Sequence, residues 1–99
     1  MIKHVILWKL KEMTEEERVT VKANAKAALE SLVGRIDGLV DAKVITSGLP
    51  SSNADMMLDS TFVSEDALIA YREHPLHKEA ANTYVRPFYA ERYCLDFEV

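Results

Sequence analysis

Residues 2–10, IKHVILWKL, alternate with a period of two, and both of the faces so produced carry apolar side chains. Ile2, His4, Ile6, Trp8 and Leu10 share one side, while Val5 and Leu7 lie on the other between Lys3 and Lys9. A strand of this kind needs cover twice, from helices on one face and from something else on the other. The chain has 99 residues, which predicts one domain over 1–99. A chain of that size buries only about 60–65% of the surface its unfolded form exposes, so a partner subunit is an ordinary source of the second cover.

The remaining elements follow from local chemistry. Thr14-Glu15-Glu16-Glu17 is a capping box with three acids at the positive end of a helix. Val21, Ala25, Ala28, Leu32 and Ile36 then recur at spacings of three and four, and the segment is expected to end near Gly34 and the Asp37-Gly38 turn. Residues 39–48 and 55–63 alternate and read as strands, separated by the turn-forming Pro50-Ser51-Ser52-Asn53. Ser64-Glu65-Asp66 starts a second helix, which Pro75 divides because proline disfavours the α conformation at His74 and fits the first turn of a new helix. Residues 92–99, RYCLDFEV, are the fourth strand, with Tyr93, Leu95, Phe97 and Val99 on one face. The order βαββαβ predicts an α+β, ferredoxin-like fold: a four-stranded antiparallel sheet with helices on one face and the second helix split.

Composition removes several functions. Twelve Lys and Arg against sixteen Asp and Glu give a net charge of −4, which opposes the electrostatics that dominate nucleic-acid binding. The sequence has no apolar run long enough to span a bilayer, and the apolar start lacks a small-residue cleavage signal. Cys94 is the one cysteine, so the expectation is a reducing, cytoplasmic setting with Cys94 as a small buried residue.

The chemistry concentrates in YREHPLHKEA, residues 71–80. Placed on a helix at ~100° per residue, Leu76, His77, Ala80, Ala81, Tyr84 and Val85 form one arc, with His77 and Tyr84 at its centre. A histidine there faces a space between helix and sheet. Its imidazole is either a hydrogen-bonded core group or a general base working near neutral pH. Tyr71 and His4 are the polar residues expected to share that space, with Ile6, Trp8 and Tyr84 as substrate-binding walls. His74 reads as a cap or hinge. His74 and His77 are also three apart, as in a metal site, but no third donor is near in sequence. A metal is therefore the weaker reading of these residues. Arg86, beside Pro87, reads as a loop tether or surface pair rather than as a binder of a substrate anion.

The opening IKHVILWKLK, the central DSTFVSEDALIAYREHPLHKEA and the closing VRPFYAERYCLDFEV together resemble the stress-responsive dimeric α/β-barrel (Dabb) family, through KH near the start, YxxHPxH in the middle and DFE at the end. The resemblance implies a homodimer in which two sheets face one another to form a barrel with helices outside. It also implies a small hydrophobic or aromatic ligand. Members resembling polyketide cyclases use the residues corresponding to His77 as base and Tyr71 as its partner, with His4 in the same pocket, which implies chemistry with neither metal nor organic cofactor. Cofactor-independent monooxygenases of quinol-like aromatics and non-catalytic stress-associated proteins are the other functions implied. Plant cyclase-like members carry bulky aromatics on the first helix where this chain has Lys22, Ala23 and Lys26, which implies a pocket of different shape and polarity.

Overall fold

A computed structural model describes residues 1–99. The chain runs β1 (Ile2–Leu10), α1 (Glu15–Glu30), β2 (Leu39–Ile45), β3 (Met56–Phe62), α2 (Glu65–Glu73), α3 (Pro75–Tyr84) and β4 (Tyr89–Glu98). The strands form one antiparallel sheet in the order β2-β3-β1-β4, the ferredoxin-like βαββαβ arrangement. β1 is central and pairs with β3 on one side and β4 on the other.

The helices start where their caps dictate. The Thr14 hydroxyl accepts from the Glu17 amide at 3.2 Å and donates to the Glu17 carboxylate at 3.0 Å, so the carboxylate returns to the cap through its hydroxyl. Ser64 accepts from the Ala67 amide at 3.1 Å. His74 is extended at φ −68° and ψ 131°, ends α2 and caps α3, accepting at Nδ1 from the Leu76 amide at 3.1 Å. Pro75 then occupies the first turn, where its missing N–H removes no helical bond. The split at Pro75 and the capping role of His74 are as the sequence predicts.

Two boundaries differ. α1 stops at Glu30, and residues 31–37 form turns that still bury Leu32 and Ile36. The apolar spacing therefore continued beyond the helix because the turn packs on the same core. β4 begins at Tyr89 rather than Arg92: pairing with β1 continues through an irregularity between Lys9 and Leu10, and Lys11 N–H reaches the Phe88 carbonyl at 2.9 Å.

Ile6, Trp8, Val44, Met56, Leu58 and Phe62 point from the sheet into one core, met by Val21, Ala25 and Leu29 of α1 and by Leu68 and Tyr71 of α2. Ala25 is completely buried, so the small side chains of α1 serve close approach to the sheet. At the β2 edge the α1 residues Glu30 and Lys26 bind the Val44 backbone amide and carbonyl at 2.9 Å each, which blocks further strand pairing at that position. β4 is different. Only Tyr89 at its start is partly covered, and the rest of the strand is exposed on both faces.

Two glycines isolate backbone strain from packing. Gly34 and Gly38 have φ of +86° and +84°; a Cβ on Gly34 meets nothing within 4 Å, but one on Gly38 would lie 2.6 Å from Ala67 Cβ. Gly34→Ala is expected to cost about 1 kcal/mol, and Gly38→Ala a further ~1–3 kcal/mol from the clash between α2 and the turn. Urea midpoints at one fixed protein concentration measure both. Equal losses would contradict this packing of α2.

Candidate functional site

A cavity of about 440 Å³ opens between β1 and the start of β4 on one side and α2 and α3 on the other. Its walls include His4, Ile6, Trp8, Tyr71 and His77, five of the six residues singled out from the sequence. Tyr84 is the exception. It is 40% exposed and borders two grooves between α1 and α3. The helical wheel gave it nearly the angle of His77, but seven residues at ~1.5 Å rise place it about 10 Å farther along the axis. On α3 the row His77, Ala81, Val85 faces the cavity, whereas Leu76, Ala80, Tyr84 faces α1. Lys22, Ala23 and Lys26 are also outside the cavity lining, so their departure from the aromatic pattern changes the outer helix and the β2 edge instead.

His4 is held on both sides. It lies opposite Ser60 of β3 and Asp96 of β4, so its side chain shares the helix-facing side with theirs. The Ser60 hydroxyl donates to the His4 carbonyl at 2.7 Å, and His4 Nδ1 is hydrogen-bonded to Asp96 Oδ1. Asp96 Oδ2 accepts from Arg72 of α2 at 2.6 Å. A carboxylate only accepts, so the neutral imidazole carries its proton on Nδ1 and leaves its lone pair on Nε2. Burial lowers the His4 pKa below 6.5, outweighing the Asp96 bond and charge that raise it. Burial would raise Asp96, yet the His4 bond and charge, the Cys94 thiol and Arg72 together hold it below the usual carboxylate value.

His77 is half-buried and stacks on Tyr71, with ring centroids 4.2 Å apart and planes tilted by 36°. Its Nδ1 donates a long 3.4 Å bond to the Arg72 carbonyl, which again assigns the lone pair to Nε2. Burial lowers its pKa, the backbone carbonyl raises it, and Arg86, His4 and Arg92 lower it further. The imidazole is consequently neutral at physiological pH and able to take a proton. Tyr71 is 2% exposed and packs edge-on against Phe62 at 4.9 Å and His4 at 6.4 Å. Burial pushes its phenol up to about 12, so it keeps its proton at physiological pH.

The metal pairing of His74 with His77 is not formed: His74 Nδ1 is occupied by its cap. The donors that come together are those of His4, Cys94 and Asp96, within 4.8 Å of one another. There the carboxylate already accepts from His4 Nδ1–H and from the Arg72 guanidinium, and burial together with Asp96 raises the Cys94 thiol and keeps it protonated. Cys94 is exposed, contrary to the buried position expected from its strand. It faces the same way as Asp96, toward the helix side that the helices leave uncovered at β4.

Asp96, Arg72 and Arg92 are among the residues in or beside this site to which the sequence pattern does not point. The alternation of β4 puts Arg92, Cys94 and Asp96 on one face, but only the antiparallel register pairs Asp96 with His4 and Arg92 with Trp8.

The two depressed histidines make stability depend on pH. Unfolded, they titrate near 6.5; folded, they resist protonation, so their stabilisation is complete above that value and is lost as pH falls through it. The unfolding free energy is expected to fall between about pH 7.5 and about pH 5.5 with a slope of up to about two protons, reduced by up to about one in His77→Phe. Asp96, whose folded pKa is depressed, adds a further loss below 3.8. Urea titrations across this range test it; an unchanged slope in His77→Phe would contradict the buried environment of that ring.

Comparison with known proteins places this geometry. The sequence profile of the stress responsive A/B barrel domain (Dabb) matches residues 2–99. A dimeric protein of unknown function with a ferredoxin-like fold from Bacteroides fragilis is 28% identical, with TM-score 0.92 over 99% of this chain and 95% of that one. A dimeric ferredoxin-like protein from Thermobifida fusca is 25% identical, with TM-score 0.82 over 99% and 90%. The hydroxynitrile lyase of Passiflora edulis shares the fold at 15% identity, TM-score 0.72, over 97% and 90%. No curated protein matches the sequence. No helix is long and apolar enough to cross a membrane. With its family profile matched from residue 2 to residue 99, the chain belongs to the stress responsive A/B barrel (Dabb) family.

Proposed function

We propose that the cavity is a site of acid–base chemistry on an enolisable or aromatic carbonyl compound. The observation that carries this reading is the half-buried His77 imidazole, lying against the Tyr71 ring in a cavity that Ile6 and Trp8 also line. The carbonyl oxygen of the ligand accepts from the Tyr71 hydroxyl. His77 Nε2 removes a proton from the adjacent carbon, and the electron pair of the broken C–H bond moves onto the carbonyl oxygen as an enolate. Tyr71 stays protonated because its pKa is about 12, and its bond strengthens as the oxygen gains charge. The resulting carbanion equivalent attacks a second carbonyl, as in a cyclisation, or is reprotonated. His4 assists from the sheet side, oriented by Asp96, and Ile6 and Trp8 hold the apolar part of the ligand. Proton transfer of this kind uses the protein's own groups.

The test is deuterium exchange at the α-carbon of methyl aryl ketones, neutral and carboxylated, followed by NMR in heavy water. Wild type should exchange these protons with a rate that rises with pH and levels off above the depressed His77 pKa. His77→Ala should lose about 100-fold or more while still binding. Exchange by His77→Ala at the wild-type rate would end the assignment. A second reading is favoured by the deep burial of Tyr71 against Phe62: a non-catalytic binding protein, for which ligands would bind wild type without any exchange.

We propose also that two copies pair through the sheet face away from the helices. That face carries Leu7, Ile45, Tyr93, Leu95 and Phe97, all 39–65% exposed, and apolar side chains gathered on one exposed face mark an interaction surface. The Bacteroides and Thermobifida relatives, both dimers, support this. Light scattering should give twice the 11.2 kDa chain mass for wild type and the single mass for Leu95→Glu. A wild-type protein at the single mass would refute the pairing.

A further inference from the structure

The cavity is cationic in a chain that is acidic overall. Its lining contains Arg72, Lys78, Arg86 and Arg92 against the carboxylate of Glu73, although the whole sequence has a net charge of −4. Two of these cations are already matched. Arg72 binds Asp96 at 2.6 Å, and Lys78 binds Glu73 at 3.0 Å. Arg86 and Arg92 have no carboxylate partner. They come from opposite walls: Arg86 follows the end of α3, and Arg92 stands on β4 directly across from Trp8.

Arg86 is also held in place. Its backbone N–H donates to the Ala81 carbonyl at 2.8 Å, and its Nη1 donates to Asn82 Oδ1 at 2.8 Å, which leaves its other N–H donors unused. Both guanidinium groups are near enough to His77 for their charges to act on it. Trp8, Ala81, Val85 and Tyr89 line the same cavity as these guanidinium groups and the imidazole. The site thus has a base and a phenol against an apolar wall, with two unmatched guanidinium groups beside it.

Resting on the acid–base reading of this cavity, we propose that its ligand is an anion, an aromatic or hydrophobic carbonyl compound bearing a carboxylate or phosphate that Arg86 and Arg92 receive. Guanidinium offers two parallel N–H donors to either oxyanion, and a charge-assisted bond of this kind is the strong one. An anionic tail gripped beside the base also fixes which carbon His77 reaches. The arrangement accounts for the local excess of positive charge, which a neutral ligand would leave unused.

The experiment is calorimetric titration of the wild-type protein with para-acetylbenzoate, its neutral methyl ester and para-acetylphenyl phosphate. The anions should bind about tenfold or more tightly than the ester, and their affinity alone should weaken with added salt. The stronger anion identifies whether carboxylate or phosphate is the group received. Arg86→Gln and Arg92→Gln should each narrow the anion-to-ester ratio while leaving ester affinity unchanged, whereas Arg35→Gln, in the turns that follow α1 and outside the cavity lining, should leave the ratio alone. An ester that binds wild type as well as the anions would overturn the proposal yet leave the acid–base reading standing, as would a ratio that survives both substitutions. Failure of all three ligands to bind would overturn both.

Discussion

Arg72 reaches from α2 to Asp96 on the exposed strand β4, and the other oxygen of Asp96 accepts from the Nδ1–H of His4 on the central strand β1. This run of charge-assisted bonds joins the helix layer to the part of the sheet the helices do not cover. Asp96 can be both partly exposed and firmly ionised because it has a donor on each oxygen, and His4 can be buried because it has one acceptor and is neutral. Removing the carboxylate would leave a buried imidazole N–H without a partner, a cost of about 1–3 kcal/mol. The same bond sets which His4 nitrogen faces the cavity.

The cavity exists because α2 and α3 are separate helices. Pro75 ends one and starts the other, and His74 caps the junction with its own ring. The break turns His77 back over Tyr71, whose ring continues through Phe62 into the core. The proposed base is therefore mounted on the hydrophobic core and not on a loop, which favours a fixed geometry over an adaptable one. Its depressed pKa has the same origin as its position: the ring is taken out of water and then placed near cations.

Much of the fold was legible because it is written in local chemistry. The capping box at Thr14, the alternation of residues 2–10 and the proline at 75 each specify a conformation within a few residues of themselves. Both apolar faces of β1 announced a second covering surface, and the face bearing Leu7, Tyr93, Leu95 and Phe97 is indeed left open by the helices. The site was legible only as far as parity and helical angle reach. His4, Ile6, Trp8 and His77 follow from those. Tyr84 was misplaced because angle ignores height along the axis, and Asp96 was missed because register between β1 and β4 depends on a tertiary pairing that a single strand does not encode. Arg92 was invisible for the same reason. A basic residue on an exposed strand looks like a solvated charge until the pairing sets it beside Trp8.

The central claim is that His77 is a neutral base whose lone pair is on Nε2, in a cavity shared with a similarly arranged His4. Long-range proton–nitrogen NMR correlation of the imidazole rings through a pH titration tests it most directly. The account predicts that both rings are Nδ1–H tautomers at neutral pH and that both titrate below 6.5. A His77 ring that carries its proton on Nε2, or that titrates at or above the ordinary value, would contradict it.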